Sequence, residues 1–92
     1  ILNRNALGIL ETYTAASAIV AADITAKTAI VDLIELRLAR GMCGKSYLLI
    51  TGEVAAVEMA IEKAKTDAAG DGMYLDSSVI ASPDPKLWES IL

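Results

Sequence analysis

The sequence contains no histidine, no phenylalanine and only one cysteine, Cys43. Histidine is the side chain that most often acts as a general base and most often binds transition metals. The sequence therefore lacks the usual residue for acid–base catalysis and for a transition-metal site. A single cysteine excludes a disulfide within the chain and any metal site built from several thiols of one copy. Nor does an apolar motif place two carboxylates together for acid–base chemistry. These absences argue against an enzyme.

The chain has 8 Lys and Arg residues against 12 Asp and Glu residues, which gives a net charge of -4. An acidic chain is a poor match for the phosphate backbone of a nucleic acid. The longest run without a charged residue, residues 12–22, is too short to span a bilayer, and Asn-Arg-Asn at residues 3–5 interrupts any signal peptide. We therefore expect a cytoplasmic protein with neither nucleic acid nor membrane as partner. Because the chain begins at Ile1 rather than Met, we also expect a few residues to precede it.

Hydrophobic residues make up 54% of the 92 residues, whereas aromatic residues make up only 4%. A chain of this length is expected to fold as one domain, residues 1–92, near the lower limit for a single core. Its composition leaves too little polar surface to cover a small globule, and burial of the excess between copies is one solution. A compact apolar monomer is the alternative, and composition does not separate the two.

Residue periodicity and turn signals predict the order strand, helix, strand, strand, helix, strand, with a short helix at the end. In the second helix, Val54, Val57, Ile61, Ala64 and Ala68 recur at spacings of three and four. The predicted strands are residues 6–11, 30–39, 45–51 and 73–80, and the predicted helices are residues 15–28, 53–69 and 86–92. This order is typical of the ferredoxin-like α+β fold, in which two helices cover one face of a four-stranded antiparallel sheet. The fold alone names no function.

Segments along almost the whole chain resemble the BMC domain of bacterial microcompartment shell proteins. They are NALGILET at residues 5–12, AAD at residues 21–23 followed by Lys27, GEVAAV at residues 52–57, and SVI at residues 78–80 followed by Pro83. The pattern of glycine, lysine and tyrosine from Gly41 to Tyr47, with the late Trp88, is similar to the tandem-domain shell protein of propanediol-utilisation compartments. The chain also resembles the single-domain hexameric shell proteins of glycyl-radical compartments. The resemblance implies the ferredoxin-like BMC-domain fold.

The resemblance further implies a structural protein whose cyclic hexamers tile a shell in the bacterial cytoplasm, together with other shell proteins. By the same resemblance, the turn of Gly41, Met42, Cys43 and Gly44 lines a central pore through which small metabolites reach encapsulated enzymes. Lys27 is implied at the edge where two hexamers meet. A solvated lysine near the end of a helix, where the helix dipole favours it, is the ordinary alternative.

Cys43 is the sharpest candidate in this turn, because some shell proteins of glycyl-radical compartments hold an iron–sulfur cluster in the pore. If six copies converge on one axis, six thiols meet, and four of them suffice for a [4Fe–4S] cluster. The alternative is an empty, metabolite-conducting pore that the thiols only narrow. Arg40 and Lys45 flank the turn and either set the charge of the pore or simply end the strands. Ser82 stands where many family members carry an arginine at the hexamer edge.

A small-ligand regulatory module with the same ferredoxin-like fold is the alternative from a different functional class. Such a module needs a loop with convergent polar groups between subunits, and the sequence offers none beyond the turn at residues 41–44. A dimer or trimer in solution would favour this alternative.

Overall fold

The computed structural model describes residues 5–38 and 45–91. Its elements are β1 (Ala6–Thr12), α1 (Ala15–Thr28), β2 (Val31–Arg37), β3 (Ser46–Gly52), α2 (Val54–Gly70), β4 (Tyr74–Ala81) and α3 (Pro85–Ile91). The predicted order is confirmed. Every predicted boundary agrees with the structure to within one residue, except the C-terminal end of β2, which was predicted at residue 39.

The four strands form one sheet in the order β2-β3-β1-β4, and each neighbouring pair is antiparallel. This is the predicted ferredoxin-like α+β arrangement, with β2 and β4 as the two edges. The register defines two ends of the sheet. At the hairpin end, Arg37 pairs with Tyr47 on the strands that lead into and out of the β2–β3 connection. At the far end, Gly52 pairs with both Val31 and Ala6, and Ala6 also pairs with Ala81.

The two long helices pack on one face of the sheet, α1 mainly over β2 and β3 and α2 mainly over β1 and β4. The core between the layers consists of small and branched aliphatic side chains: Ala6, Leu10, Ala21, Leu48, Ile50, Val57, Ala60, Ile61 and Ala64. Gly8 on β1 is the point of closest approach. A Cβ atom there would lie 2.8 Å from Val57 Cγ1 and 2.9 Å from Ile61 Cγ1. The absence of a side chain at Gly8 therefore lets α2 lie close to the sheet.

Local signals set the helix boundaries largely as the sequence predicts. The Thr14 side chain accepts a hydrogen bond from the Ser17 backbone N–H at 3.1 Å, which caps the first turn of α1. The helix predicted to end at residue 69 extends one residue further in the structure, because Gly70 is the last helical residue of α2. The left-handed residue that ends the helix is Gly72, with φ of 73°, and its N–H donates to the Ala69 carbonyl at 3.1 Å.

The edge strand β2 departs most from the sequence expectation. The pairing of β2 with β3 shifts between Leu33 and Glu35, so that no single face of this strand is buried throughout. Ile30 was expected to begin the strand, but it lies before β2 in an exposed turn. Trp88 of α3 is buried, and its burial holds this short helix against the domain.

Candidate functional site

The predicted pore residues Gly41, Met42, Cys43 and Gly44 lie outside the described residues, as does Arg40. The described strands nevertheless fix where the connection begins and ends. The strand β2 ends at Arg37 and β3 begins at Ser46, on paired neighbours at the hairpin end of the sheet. The chain therefore leaves and rejoins the sheet at this end, with the exposed Lys45 beside the point of return.

A polar cluster of Glu35, Arg37 and Tyr47 lies on the two strands at the base of this connection. The Tyr47 hydroxyl donates a hydrogen bond to Glu35 Oε2 at 2.5 Å, and Arg37 Nη2 lies 3.7 Å from Glu35 Oε1. Strand alternation places Tyr47 on the face of the sheet away from α1 and α2, because its neighbours Ser46 and Leu48 are buried beneath the helices. The sequence does not predict this cluster, because the contact depends on the register of the hairpin, which places Arg37 opposite Tyr47 and Glu35 two residues away.

The hydrogen bond to Glu35 is the main reason why the pKa of Tyr47 is raised above its ordinary value of 10.0. A raised pKa in the folded state means that the interaction stabilises the fold at every pH below the ordinary tyrosine pKa. This contribution is lost as the pH rises through the folded-state value. We expect the ultraviolet absorbance titration of the wild-type chain to include a late tyrosine step, and Tyr47→Phe to remove that late step. A Tyr13→Phe variant is the control, and an unchanged late step in Tyr47→Phe would contradict the assignment.

Lys27, predicted at an edge between hexamers, lies in the last turn of α1, and the chain then passes through Ala29 and Ile30 into β2 at the far end. Its side chain is 76% exposed, and its ammonium group lies 2.8 Å from Asp23 Oδ2. The hydrogen bond and the charge of Asp23 raise the pKa of Lys27, which is therefore charged at neutral pH. In a single chain, Lys27 is thus exposed and paired with Asp23, and its predicted place at an edge between hexamers stays a prediction.

Ser82 lies at the same end of the domain. It follows the last residue of β4, and its backbone N–H donates to the Asn5 carbonyl at 2.7 Å. The structure thus brings Lys27 and Ser82 to the far end of the sheet, opposite the connection that carries the predicted pore residues. Lys27 and Ser82 therefore lie at the end of the sheet opposite to Arg37 and Ser46, between which the chain leaves and rejoins the sheet.

The β2 flank, defined by Ile19, Leu33 and Leu38, exposes apolar side chains along one side of the domain. Leu33 lies on the edge strand and Leu38 directly follows it. Ser17 and Val20 of α1 line a cavity with residues of the C-terminal part of α2, so that side of α1 faces α2. The helical period then places Ile19 on the opposite side, above the β2 edge.

The β4 flank, defined by Met59, Ile61 and Val79, lies on the other side of the domain. Here α2 and β4 border an open cavity of about 490 Å³, whose charged lining residues are Glu58, Glu62 and Lys65. Met59 is 58% exposed in this flank. Strand β4 pairs only with β1, so its outer edge is also available for contact. The two flanks differ from each other in shape and composition.

Within residues 5–38 and 45–91, no three His, Cys, Asp or Glu side chains come together as they would around a metal ion. None of the helices described is both long and apolar enough to cross a membrane.

Comparison with known proteins identifies the family of this chain. The model of the BMC domain matches residues 6–83 of this chain. The chain is 35% identical over 89 residues to the bacterial microcompartment shell protein PduT of Citrobacter freundii, with 97% of this chain and 48% of that protein covered. Its structure is similar to that of a microcompartment protein from Desulfitobacterium hafniense DCB, with a TM-score of 0.89, 45% identity, and coverage of 97% of this chain and 49% of that one. The chain therefore spans about half the length of both relatives.

Proposed function

The chain belongs to the BMC-domain family of bacterial microcompartment shell proteins, and from this premise we propose that six copies close into a ring that tiles the shell. In this ring, residues 41–44 surround the central axis and the far end of each domain forms the outer rim. The single observation that carries the proposal is the placement of four surfaces on one domain. Two different apolar flanks separate the hairpin end from the end that bears Lys27.

Two different flanks are what a cyclic ring requires. In a head-to-tail contact, one surface of each copy meets a different surface of the next copy, and the ring closes when the rotation per copy divides a full turn. The β2 flank exposes protruding aliphatic side chains, and the β4 flank offers a cavity of about 490 Å³. Packing one flank against the other buries the apolar surface that a single copy leaves in water. It also directs every hairpin end toward one axis.

The centre of the proposed ring is a pore for small metabolites. Six hairpin ends would bring six copies of the cluster of Glu35, Arg37 and Tyr47 to its surroundings, together with six exposed Lys45 side chains. Charged groups arranged around a narrow opening select among ions and polar molecules by their field. We expect Arg40, Met42 and the two glycines of the turn to contribute to this opening.

The pore can take two forms, which differ in the role of the Cys43 thiol. The chain supplies only one thiol, so a [4Fe–4S] cluster would have to take thiolates from four copies and leave two thiols free. Such a cluster would give the shell a redox function. Without a cluster, six thiols narrow a channel that conducts metabolites.

The partners that follow from this function are further copies of the chain, other microcompartment shell proteins and encapsulated enzymes. The location is the microcompartment shell in the bacterial cytoplasm. A shell protein acts through these assemblies rather than through an active site, which accords with the absence of a histidine from the chain.

Native mass spectrometry of protein purified without oxygen tests the proposal, with Cys43→Ser as the matched variant. We expect a hexamer for both proteins. An added mass of one iron–sulfur cluster in the wild type that is lost in Cys43→Ser would establish the redox pore. Bare hexamers in both would favour the empty metabolite pore over the redox pore. A dimer or trimer would instead favour the small-ligand regulatory module, and a monomer at all concentrations would overturn the ring.

A further inference from the structure

Ile30 is the most exposed large apolar side chain in the described part of the chain, with 96% of its surface in contact with solvent. It occupies the short connection between α1 and β2, between the helix cap Ala29 and the first strand residue Val31. Single exposed aliphatic residues are common on protein surfaces and need no explanation alone. Ile30 differs from such isolated residues because a concave surface lies beside it.

Ile30 borders a cavity of about 340 Å³ at the far end, which is also lined by Asp32, Gly52, Glu53 and Ala56. Gly52 contributes no side chain to it, and the backbone carbonyl oxygen of Ile30 lies 3.2 Å from where a Cβ atom of Gly52 would be. The two carboxylates, on Asp32 and Glu53, are exposed at this cavity. A protruding apolar side chain therefore stands directly beside a concave surface with acidic groups.

These features are self-complementary across a two-fold axis. In a two-fold contact, each residue of one copy meets a residue of the other and the same pair recurs in reverse. Ile30 of one copy can enter the cavity of the second copy while its own cavity receives the second Ile30. Lys27, three residues before Ile30 in the chain and 76% exposed, then approaches the carboxylates of Asp32 and Glu53 across the contact.

We propose that the edge between two neighbouring rings is an apolar contact in which Ile30 of each copy enters the cavity of the other. This inference rests on the proposed ring, because the far end forms the rim only there. It gives Lys27 a smaller role at the edge than the resemblance implies. The Lys27 ammonium group is already paired with Asp23 at 2.8 Å, so Lys27 guides the approach, while Ile30 carries the contact. Ser82 has no charged group with which to replace an edge arginine.

The size of this contact explains why it would act only between rings. One isoleucine and its cavity cover far less than the roughly 1,200–2,000 Å² that stable protein interfaces bury in total. Two isolated copies would therefore not associate by this surface. Rings present six such edges in one plane, and several weak contacts formed together raise the apparent affinity far above that of each one.

Ile30→Ser tests the inference, with Val20→Ser as the control, because Val20 is an aliphatic side chain 50% exposed on α1, away from the far end. Ring formation is measured by native mass spectrometry, and sheet formation by light scattering and negative-stain microscopy over a series of protein concentrations. We expect rings in all three proteins. We expect Ile30→Ser to raise the concentration needed for sheets by about tenfold or more, which corresponds to at least about 1.4 kcal/mol per ring added to the sheet, and Val20→Ser to leave it unchanged.

The salt dependence of sheet formation distinguishes an apolar contact from an ionic one. We expect wild-type sheets to persist in 1 M sodium chloride, where exposed charge pairs are screened. Dissolution of the sheets in salt, wild-type rings that never form sheets, or Ile30→Ser sheets equal to the wild type would each overturn this inference and leave the ring standing. A wild-type chain that forms no ring would overturn the proposed function and this inference with it.

Discussion

Replacement of Leu33 by glutamate is expected to leave a folded monomer in place of the ring. Leu33 lies on the edge strand β2 and is 50% exposed in a single copy, so the carboxylate of a glutamate there stays hydrated in the monomer. In the ring, the same carboxylate would be buried against the β4 flank of the next copy without a defined partner. Burial of an unpaired charge costs several kcal/mol. Because every interface of the ring carries the change, we expect at least about a 100-fold weaker association, or roughly 3 kcal/mol per contact.

Native mass spectrometry and sedimentation velocity measure this result, and circular dichroism confirms that the monomer is folded. Val20→Glu is the control, because it introduces the same charge at a position of equal exposure outside both flanks. We expect Val20→Glu to remain a ring. A ring for Leu33→Glu at the concentrations at which the wild type forms one would exclude the β2 flank from the interface.

A second variant on the opposite flank makes the test specific for a head-to-tail ring. Met59→Glu alters the β4 flank and is also expected to be monomeric. In a mixture with Leu33→Glu, one intact β2 flank and one intact β4 flank remain, and these can form a single native contact. We therefore expect a heterodimer in the mixture and no larger species. An isologous interface would show no such complementation.

The fold could be predicted from the sequence because its signals are local and agree with one another. Each element has its own local signal: an apolar stripe for α2, the Thr14 cap for α1 and apolar runs for the strands. The order of these elements matches the ferredoxin-like arrangement. The resemblance of separate segments to the BMC domain gave the family, which the comparisons confirm. The predicted roles of Cys43 and Lys27 stay predictions.

The flanks and the far-end cavity could not be predicted, because they depend on tertiary neighbours. Ile30 and Leu33 were both placed within one apolar strand, and the sequence does not show that the first lies in an exposed turn. The irregular pairing between Leu33 and Glu35 changes which side chains of β2 face the helices, and no local signal marks it. Similarly, the contact of Tyr47 with Glu35 depends on the register of the hairpin.

Gly8→Ala is expected to destabilise the domain by about 1–3 kcal/mol, the usual range when a methyl group enters a well-packed core. The new Cβ atom would lie 2.8 Å from Val57 Cγ1, 2.9 Å from Ile61 Cγ1 and 3.1 Å from Ile50 Cγ1. All three contacts are with branched side chains that are themselves buried, so they cannot turn aside into solvent. Relief requires α2 to move away from β1. A loss of this size is a large part of the roughly 5–15 kcal/mol that a domain has.

Urea denaturation measures this loss, and the Leu33→Glu background keeps unfolding independent of ring assembly. Gly70→Ala is the control, because a Cβ atom at this last residue of α2 meets nothing within 4 Å. There an alanine reduces the entropy of the unfolded chain without a clash, and we expect a gain of up to about 1 kcal/mol. The two identical substitutions should therefore change stability in opposite directions. If Gly8→Ala also stabilises the domain, α2 does not approach β1 as closely as the structure shows, and the shape of the β4 flank must be revised with it.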